Sequence, residues 1–310
     1  MPRRFRPGRR RPITNPRVTV VIPTYNHARF LGETLRSVLA QTVSDWEAIV
    51  VNNYSDDNTV EVVESFGDPR ISLVNFANHG IIAASRNLGI EKASAEWVAF
   101  LDSDDIWRPE KLQRCLEAAG EQVDVVGHGL VMFRDGETIR TILSGPQSRA
   151  RYRNLLYGGS CMTPSAILIR KGFLERVGGF SEDGRHLTAE DYELWLKMAR
   201  DGARFVFLPD LLTDYRVHGD NASNSIQRHR DSSLAVVEDH YLALSGKNGL
   251  DRIRFRRQRA LIHYGAARKF LAAGDRRACW ASTLKSLAIF PFIARAYVNL
   301  VLSLFPGAGP

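Results

Sequence analysis

Three carboxylates within four residues, Asp102-Ser103-Asp104-Asp105, follow directly on the apolar run Val98-Ala99-Phe100-Leu101. Carboxylates crowded this closely repel one another unless a cation lies between them, and hard divalent cations such as Mg²⁺ or Mn²⁺ take oxygen ligands. At the carboxyl end of a parallel strand, where open α/β sheets bind their ligands, such a cation can hold a diphosphate. The plain structural alternative is a solvated acidic turn capping a helix that begins near Pro109. A second acidic pair, Glu190-Asp191, opens a strongly helical run to Arg200. Acids at that end of a helix also suit its dipole.

These residues need elements to position them. From Val18 to about Val131, strand-like runs (Val18–Ile22, Glu47–Val51, Ile71–Asn75, Trp97–Leu101, Val123–Val131) alternate with helical patterns near 30–40, 57–66, 80–93 and 109–119. Short connections between alternating strands and helices predict parallel βαβ units and an open sheet covered on both faces. Its ligand edge gathers the loops 23–29, 52–58, 76–80 and 102–108. Residues 134–160 have weak periodicity and are expected to be a loop region. A short strand at Ala166–Ile169, a helix near 171–177 and the turn Gly178-Gly179-Phe180 follow. Beyond Ser225 the chain is helical and rich in Arg. Runs at Arg252–Leu271 and Asp275–Ile289 form a hairpin broken at Ala273-Gly274.

Charge is unevenly divided. Of the net +8, residues 1–17 carry +7, residues 224–310 carry +9, and the segment 18–223 carries −8. A nucleic-acid binder would place its positive charge on the folded domain, so no nucleic-acid partner is expected. Basic flanks suit peripheral contact with an anionic membrane surface, although the first 17 residues alone read as a solvated tail. The apolar stretch Leu284–Phe305 is interrupted by Lys285, Pro291, Arg295 and Asn299. Helical spacing puts Arg295, Asn299 and Ser303 on one face and Phe292, Ile293, Tyr297, Leu300, Val301 and Leu304 on the other. This amphipathic helix either lies in a membrane interface or packs on the domain. Cys115, Cys161 and Cys279 fit neither a zinc spacing nor a disulfide framework, and the N-terminal arginines precede no apolar signal core. Together these point to a cytoplasmic protein, either free or held on the cytoplasmic face of a membrane.

Further polar clusters end the first two strands: Pro23-Thr24-Tyr25-Asn26 and Asn52-Asn53-Tyr54-Ser55. Ala84-Ser85-Arg86-Asn87 lies on the helix before the acidic strand. In this order, and with the two acidic clusters, residues 18–220 resemble the inverting glycosyltransferase family 2 and its GT-A nucleotide-sugar fold. The expected architecture is α/β, a mixed and mainly parallel sheet with helices on both faces, plus a C-terminal helical extension. The expected division is a basic tail (1–17), a catalytic domain (18–223) and a helical region (224–310).

The resemblance implies a nucleoside-diphosphate sugar donor, a divalent cation (Mn²⁺ or Mg²⁺) and a hydroxyl-bearing glycan or glycolipid acceptor. It makes Asp102 and Asp104 metal and diphosphate contacts, with Ser103 between them and Asp105 as a helper. It assigns Arg86 to the donor's diphosphate or base, and Pro23, Thr24, Tyr25, Asn52 and Asn53 to the nucleoside pocket. The family usually has Asp-Asp-Gly-Ser where this chain has Asn52-Asn53-Tyr54-Ser55. An Asn carbonyl still accepts a hydrogen bond, more weakly than a carboxylate, so UDP competes with dTDP and GDP. Asp191 corresponds to the base that deprotonates the acceptor, with Glu190 orienting it, and His218, in Tyr215-Arg216-Val217-His218, to a further metal ligand. Two other functions stay open from the residues: a nucleotide-sugar binder without turnover, suggested by Asn52 and Asn53, and a nucleotidyltransferase. The second would want a glycine-rich basic loop where Pro23-Thr24-Tyr25-Asn26-His27 stands.

Overall fold

The computed structural model describes residues 15–219 and 225–303. Most of the basic tail, as well as Leu304 and Phe305, lies outside them. The chain divides into two compact units. One comprises residues up to 147, 162–180 and 201–217; the other comprises 148–161, 181–200 and 218 onward. They interleave along the chain, so they do not follow the single cut at 223.

The first unit holds a nine-stranded sheet of β1 (Val18–Thr24), β2 (Trp46–Asn52), β3 (Ile71–Asn75), β4 (Trp97–Phe100), β5 (Ile106–Trp107), β6 (Val125–Arg134), β7 (Glu137–Ile142), β8 (Ile167–Arg170) and β9 (Phe205–Arg216). Strand order is β3-β2-β1-β4-β8-β6-β9-β5, with β7 paired to β6. The first four strands are parallel, as the alternation requires, and β8 then runs antiparallel to β4. β1 is buried along its whole length because helices cover both faces. On one side, Leu31, Leu35 and Val38 of α1 (Ala28–Leu39) form a stripe against Val18, Val20 and Ile22. Such side chains contribute about 1.5–3 kcal/mol each when fully buried. α2 (Thr59–Glu64) connects β2 to β3. On the other side, α3 (Ile82–Lys92) approaches β1 so closely that a Cβ at Gly89 would overlap the Val21 side chain. α4 (Lys111–Ala118) follows the acidic turn.

Two expectations are corrected here. The weakly periodic segment 134–160 contains the hairpin strand β7 and the helix α5 (Tyr152–Gly158). The twelve residues of β9, not expected as a strand, pair in parallel with β6. Pro209 interrupts the pattern of β9, and the pairing shifts register around Gly129 instead of running regularly. The hydrogen-bonding partner of such a strand lies some eighty residues away, so its own sequence carries little of the signal.

His128 on β6 is fully buried, and its Nδ1 lies 2.9 Å from the carbonyl of Gly129. Burial, and after it the Lys111 cation, push its pKa down to about 3 against the opposing effect of that hydrogen bond. The folded protein therefore leaves this imidazole neutral, while the unfolded chain protonates it near pH 6.5. Stability should fall as pH drops from about 6.5 towards 3, by up to about 1.4 kcal/mol per pH unit from this group. Urea denaturation across that range should give a steeper acid loss for the wild type than for His128→Gln. Equal slopes would remove His128 as the cause.

The second unit is helical: α5, then α7 (Glu190–Arg200), α8 (Ile226–Ala243), α9 (Gly249–Ala272), α10 (Arg276–Ile289) and α11 (Ala294–Leu302); α6 (Lys171–Arg176) belongs to the sheet unit. Asn248 and Asp251 form a reciprocal capping box at the start of α9, and Asp275 accepts from the Ala278 amide to start α10. The long apolar C-terminal pattern is not one helix. It breaks between Ile289 and Ala294, around Pro291, which cannot donate to the helical ladder. Among the described residues no helix is long and apolar enough to cross a membrane.

Candidate functional site

Three parallel strands end in register, with Thr24 beside Asn52 and Asn52 beside Asn75. Each strand therefore delivers a polar residue to the same edge of the sheet. Thr24 is buried there, and its hydroxyl has no hydrogen-bond partner among the described residues. Tyr25 projects, half exposed. Asn26 adopts a left-handed conformation, φ 53°, and ties the two loops together. Its amide donates to Ser55, and its side-chain oxygen accepts from the Asp56 amide.

Asn52 is buried and engaged within this edge. Its amide nitrogen lies 2.8 Å from Asn75 Oδ1, and its oxygen accepts from the Ser55 amide and hydroxyl at 3.1 and 2.6 Å. The side chain thus shapes the loop from beneath. Asn53 accepts from the Asn78 amide at 2.9 Å, which joins the second loop to the third. Pro23 is the penultimate residue of β1, where its missing N–H is tolerated.

The acidic turn follows β4. The Asp105 amide donates to the Asp102 carbonyl at 3.0 Å, closing a tight turn. Thr34 Oγ1 of α1 lies 2.9 and 2.8 Å from the carbonyl oxygens of Ser103 and Asp105. The three carboxylates meet different environments. Asp102 pairs with the buried Arg86 at 2.8 Å, so Arg86 is a buried partner of the turn and not an exposed helix charge. The Arg86 guanidinium also lies 5.3 Å from the ring centre of Phe180. Asp105 is fully buried and accepts from the backbone amide of Arg216 at 3.0 Å. Burial raises its pKa well above the ordinary carboxylate range, and the charges of Asp104 and Asp102 raise it further. Asp105 therefore belongs to the scaffold of the turn.

Asp104 stands between these two. One of its carboxylate oxygens lies within 4.8 Å of a ring nitrogen of His27. His27 Nδ1 in turn lies 2.8 Å from the Ser103 hydroxyl. An oxygen anion beside an imidazole fits a divalent cation of intermediate hardness, Mn²⁺ better than Mg²⁺. The donor set therefore suits such an ion, with raised repulsion around Asp105 as the electrostatic reason for one.

Several supporting contacts could not be read from the local sequence. Arg216, at the end of β9, donates from Nε to the Asp104 carbonyl at 3.0 Å and forms an ion pair with Glu33. The Ser165 hydroxyl accepts from the Asp102 amide at 3.1 Å. Asn87 clamps Phe180 through its backbone, donating to the carbonyl at 2.9 Å and accepting from the amide at 2.8 Å. A Cβ on the preceding Gly179, φ 62°, would crowd Asn87, so the turn and the Arg86 helix need a glycine here. His27 was passed over because a lone histidine in a loop carries no spacing signal.

In the helical unit, Glu190 is buried and Asp191 half-buried at the start of α7. Asp191 accepts from the Tyr192 amide at 2.7 Å. Tyr192 anchors the helix by donating to the Leu155 carbonyl at 2.7 Å. The loop before α7 is latched to α8: Arg185 bridges Asp183 and Asp239, and His186 lies 3.0 Å from Asp239. Asp183, His186 and Asp239 have cation-ligand spacing, but Arg185 already neutralises both carboxylates. Thr188 holds φ 75°, a costly conformation for a β-branched residue, two residues before Glu190. His218 is the first residue of this unit's last segment and directly follows Val217, whose amide is bonded to Phe133.

Comparison with known proteins adds three observations. The family model for glycosyl transferase family 2 matches residues 19–178. The putative teichuronic acid biosynthesis glycosyltransferase TuaG of Bacillus subtilis (strain 168) is 29% identical over 218 residues, covering 68% of this chain and 82% of that protein. Two solved structures share the fold. S. aureus TarS 1–349 in complex with UDP-GlcNAc has a TM-score of 0.63 at 18% identity, covering 91% of this chain and 92% of that one. The mannosyltransferase PcManGT from Pyrobaculum calidifontis, in complex with GDP-Man and Mn²⁺, has a TM-score of 0.62 at 20% identity, covering 96% and 83%.

Proposed function

We propose, for a chain that belongs to glycosyl transferase family 2, that it moves a sugar from a nucleoside-diphosphate donor to a hydroxyl acceptor by single displacement with inversion. The observation that carries this reading is the in-register polar edge of β1–β3 beside the turn of Asp102 and Asp104, with His27 close to Asp104. The catalytic residues span Pro23 to His218, which keeps the functional domain at 18–223 although the compact units interleave. Thr24, Tyr25 and Asn53 line the nucleoside side of that edge, and the orphaned Thr24 hydroxyl offers a hydrogen bond to a ligand. Asn52 shapes their loop from below. Arg86 and Asp102 form one charged pair that a diphosphate can share.

Asp104 and His27 would hold a divalent cation, and the family resemblance gives His218 the role of a further ligand. That ion, when bound, neutralises charge that develops on the departing diphosphate. Asp191 accepts the proton of the acceptor hydroxyl while its oxygen attacks the anomeric carbon and the bond to the diphosphate breaks. Glu190 holds Asp191 in place. The similarity to TuaG, a putative teichuronic acid biosynthesis glycosyltransferase, supports a cell-surface polysaccharide as the product class. The UDP-GlcNAc complex of TarS favours a UDP-sugar, and the GDP-Man complex of PcManGT keeps GDP in contention.

The test is thermal denaturation with UDP, GDP, dTDP or CMP, each with and without Mn²⁺. One nucleoside diphosphate should stabilise the protein by about 5–10 °C at a hundredfold excess over its Kd, and only with the cation. Absence of any cation-dependent shift would remove the donor assignment. A shift without turnover of any sugar donor would favour the binding protein instead.

A further inference from the structure

Helix α11 is turned opposite to the usual arrangement of an amphipathic surface helix. It buries Asn299 and Ser303, the polar residues of its stripe, together with Ala296. The Asn299 amide lies 3.1 Å from Thr283 Oγ1 and 3.3 Å from Cys279 Sγ of α10. The hydroxyls of Thr283 and Ser286 are satisfied in the same layer by the carbonyls of Cys279 and Ala260. Small residues, Ala260 and Ala296, let α9 and α11 approach closely. The layer between these helices thus combines these hydrogen-bonded polar groups with a small apolar cluster of Ala260, Ile293 and Ala296.

The apolar side of α11 consequently faces outward. Phe292 is 83% exposed, Val298 57%, Val301 54%, Tyr297 49% and Leu302 41%. Ile293, assigned to the same face by helical spacing, is instead buried in the cluster with Ala260 and Ala296. The exposed apolar residues are accompanied by cations alone. From Arg276 to residue 310 the sequence holds Arg276, Arg277, Lys285 and Arg295 and no acid. Arg295 lies exposed on α11 itself. Two copies of this face would set like charges against each other, whereas an anionic surface would complement them.

We propose that the outward face of α11, led by Phe292, Tyr297 and Val301, seats in the headgroup–acyl boundary of an anionic lipid bilayer, with Arg295 at the phosphate level. At nine residues α11 is far too short to cross a bilayer, so the helix lies in the interface plane. The aromatic rings suit that depth, because one end of each is apolar and the Tyr297 hydroxyl stays satisfied by the Pro291 carbonyl at 3.0 Å. This surface is independent of the donor site and stands whether or not the chain turns over a sugar.

The experiment is co-sedimentation of the full chain with vesicles of equimolar phosphatidylglycerol and phosphatidylcholine, and with phosphatidylcholine alone. Binding is expected on the anionic vesicles, weakening with salt, and absent on the neutral ones. Phe292→Ser with Val301→Ser should lower the partition about tenfold or more at unchanged melting temperature, since both side chains already face outward. Arg295→Glu should lower it without touching the apolar side chains. Undiminished binding by the apolar variant would overturn the proposal and assign binding to another basic segment, such as residues 1–17. Equal binding to neutral vesicles, or none to anionic ones, would overturn it too. So would a self-association in free solution that the apolar variant abolishes, because the face would then meet a second copy.

Discussion

Replacing Asp191 with Asn should lower sugar transfer by about a hundred- to ten-thousandfold, the range typical of losing a general base. The substitution changes charge and almost nothing else. Asp191 accepts from the Tyr192 amide at 2.7 Å, and an Asn oxygen can keep that bond. The helix remains anchored by Tyr192 to the Leu155 carbonyl and by the ion pair of Glu193 with Lys197. Glu193 itself resists burial, which would raise its pKa, because His240 and Lys197 hold it below the ordinary value. Cation-dependent stabilisation by nucleotide should therefore survive in Asp191→Asn while initial rates collapse. Near-normal turnover would remove Asp191 as the base and direct attention to Glu190.

Asp104→Asn should have the complementary outcome. The turn it sits in is held by main-chain bonds, from the Asp105 amide to Asp102 and from Arg216 Nε to the Asp104 carbonyl. Removing the carboxylate charge leaves those bonds in place, so the apo protein should keep its far-UV circular dichroism. The nucleotide-dependent thermal shift in Mn²⁺ should fall from about 5–10 °C to little more than the value without cation. Asp105→Asn is the informative contrast. Its carboxyl is buried and bonded to the Arg216 amide, so its loss should alter stability more than cation dependence. A full shift retained in Asp104→Asn would place the cation elsewhere.

Much of the nucleotide-binding half was legible in the amino-acid order. Strands β1, β2 and β4 appear as apolar runs because they are buried on both faces, while β3 at the sheet edge is only partly buried, and the loops between them carry the polar clusters. The acidic turn and the acid pair at the start of α7 were visible as charge collected at an element's end. Less visible were β9, whose pattern Pro209 interrupts, and β7, which pairs with β6 in a segment expected to be loop. His27 and Ser165 gave no local signal, and Asn87 stood out only as the neighbour of Arg86.

The sequence by itself determined which residues reach the ligand edge, since period and turn chemistry are local properties of the chain. Only the tertiary structure decided what each does there. It turns Asp105 into a buried acceptor for Arg216, 111 residues later, and pairs Asp102 with Arg86. It makes Asn52 a brace between loops, and points Asn299 and Ser303, at the C-terminal helix, inward. These outcomes depend on partners distant in sequence, whose hydrogen bonds and charges outweigh local preference once water is excluded.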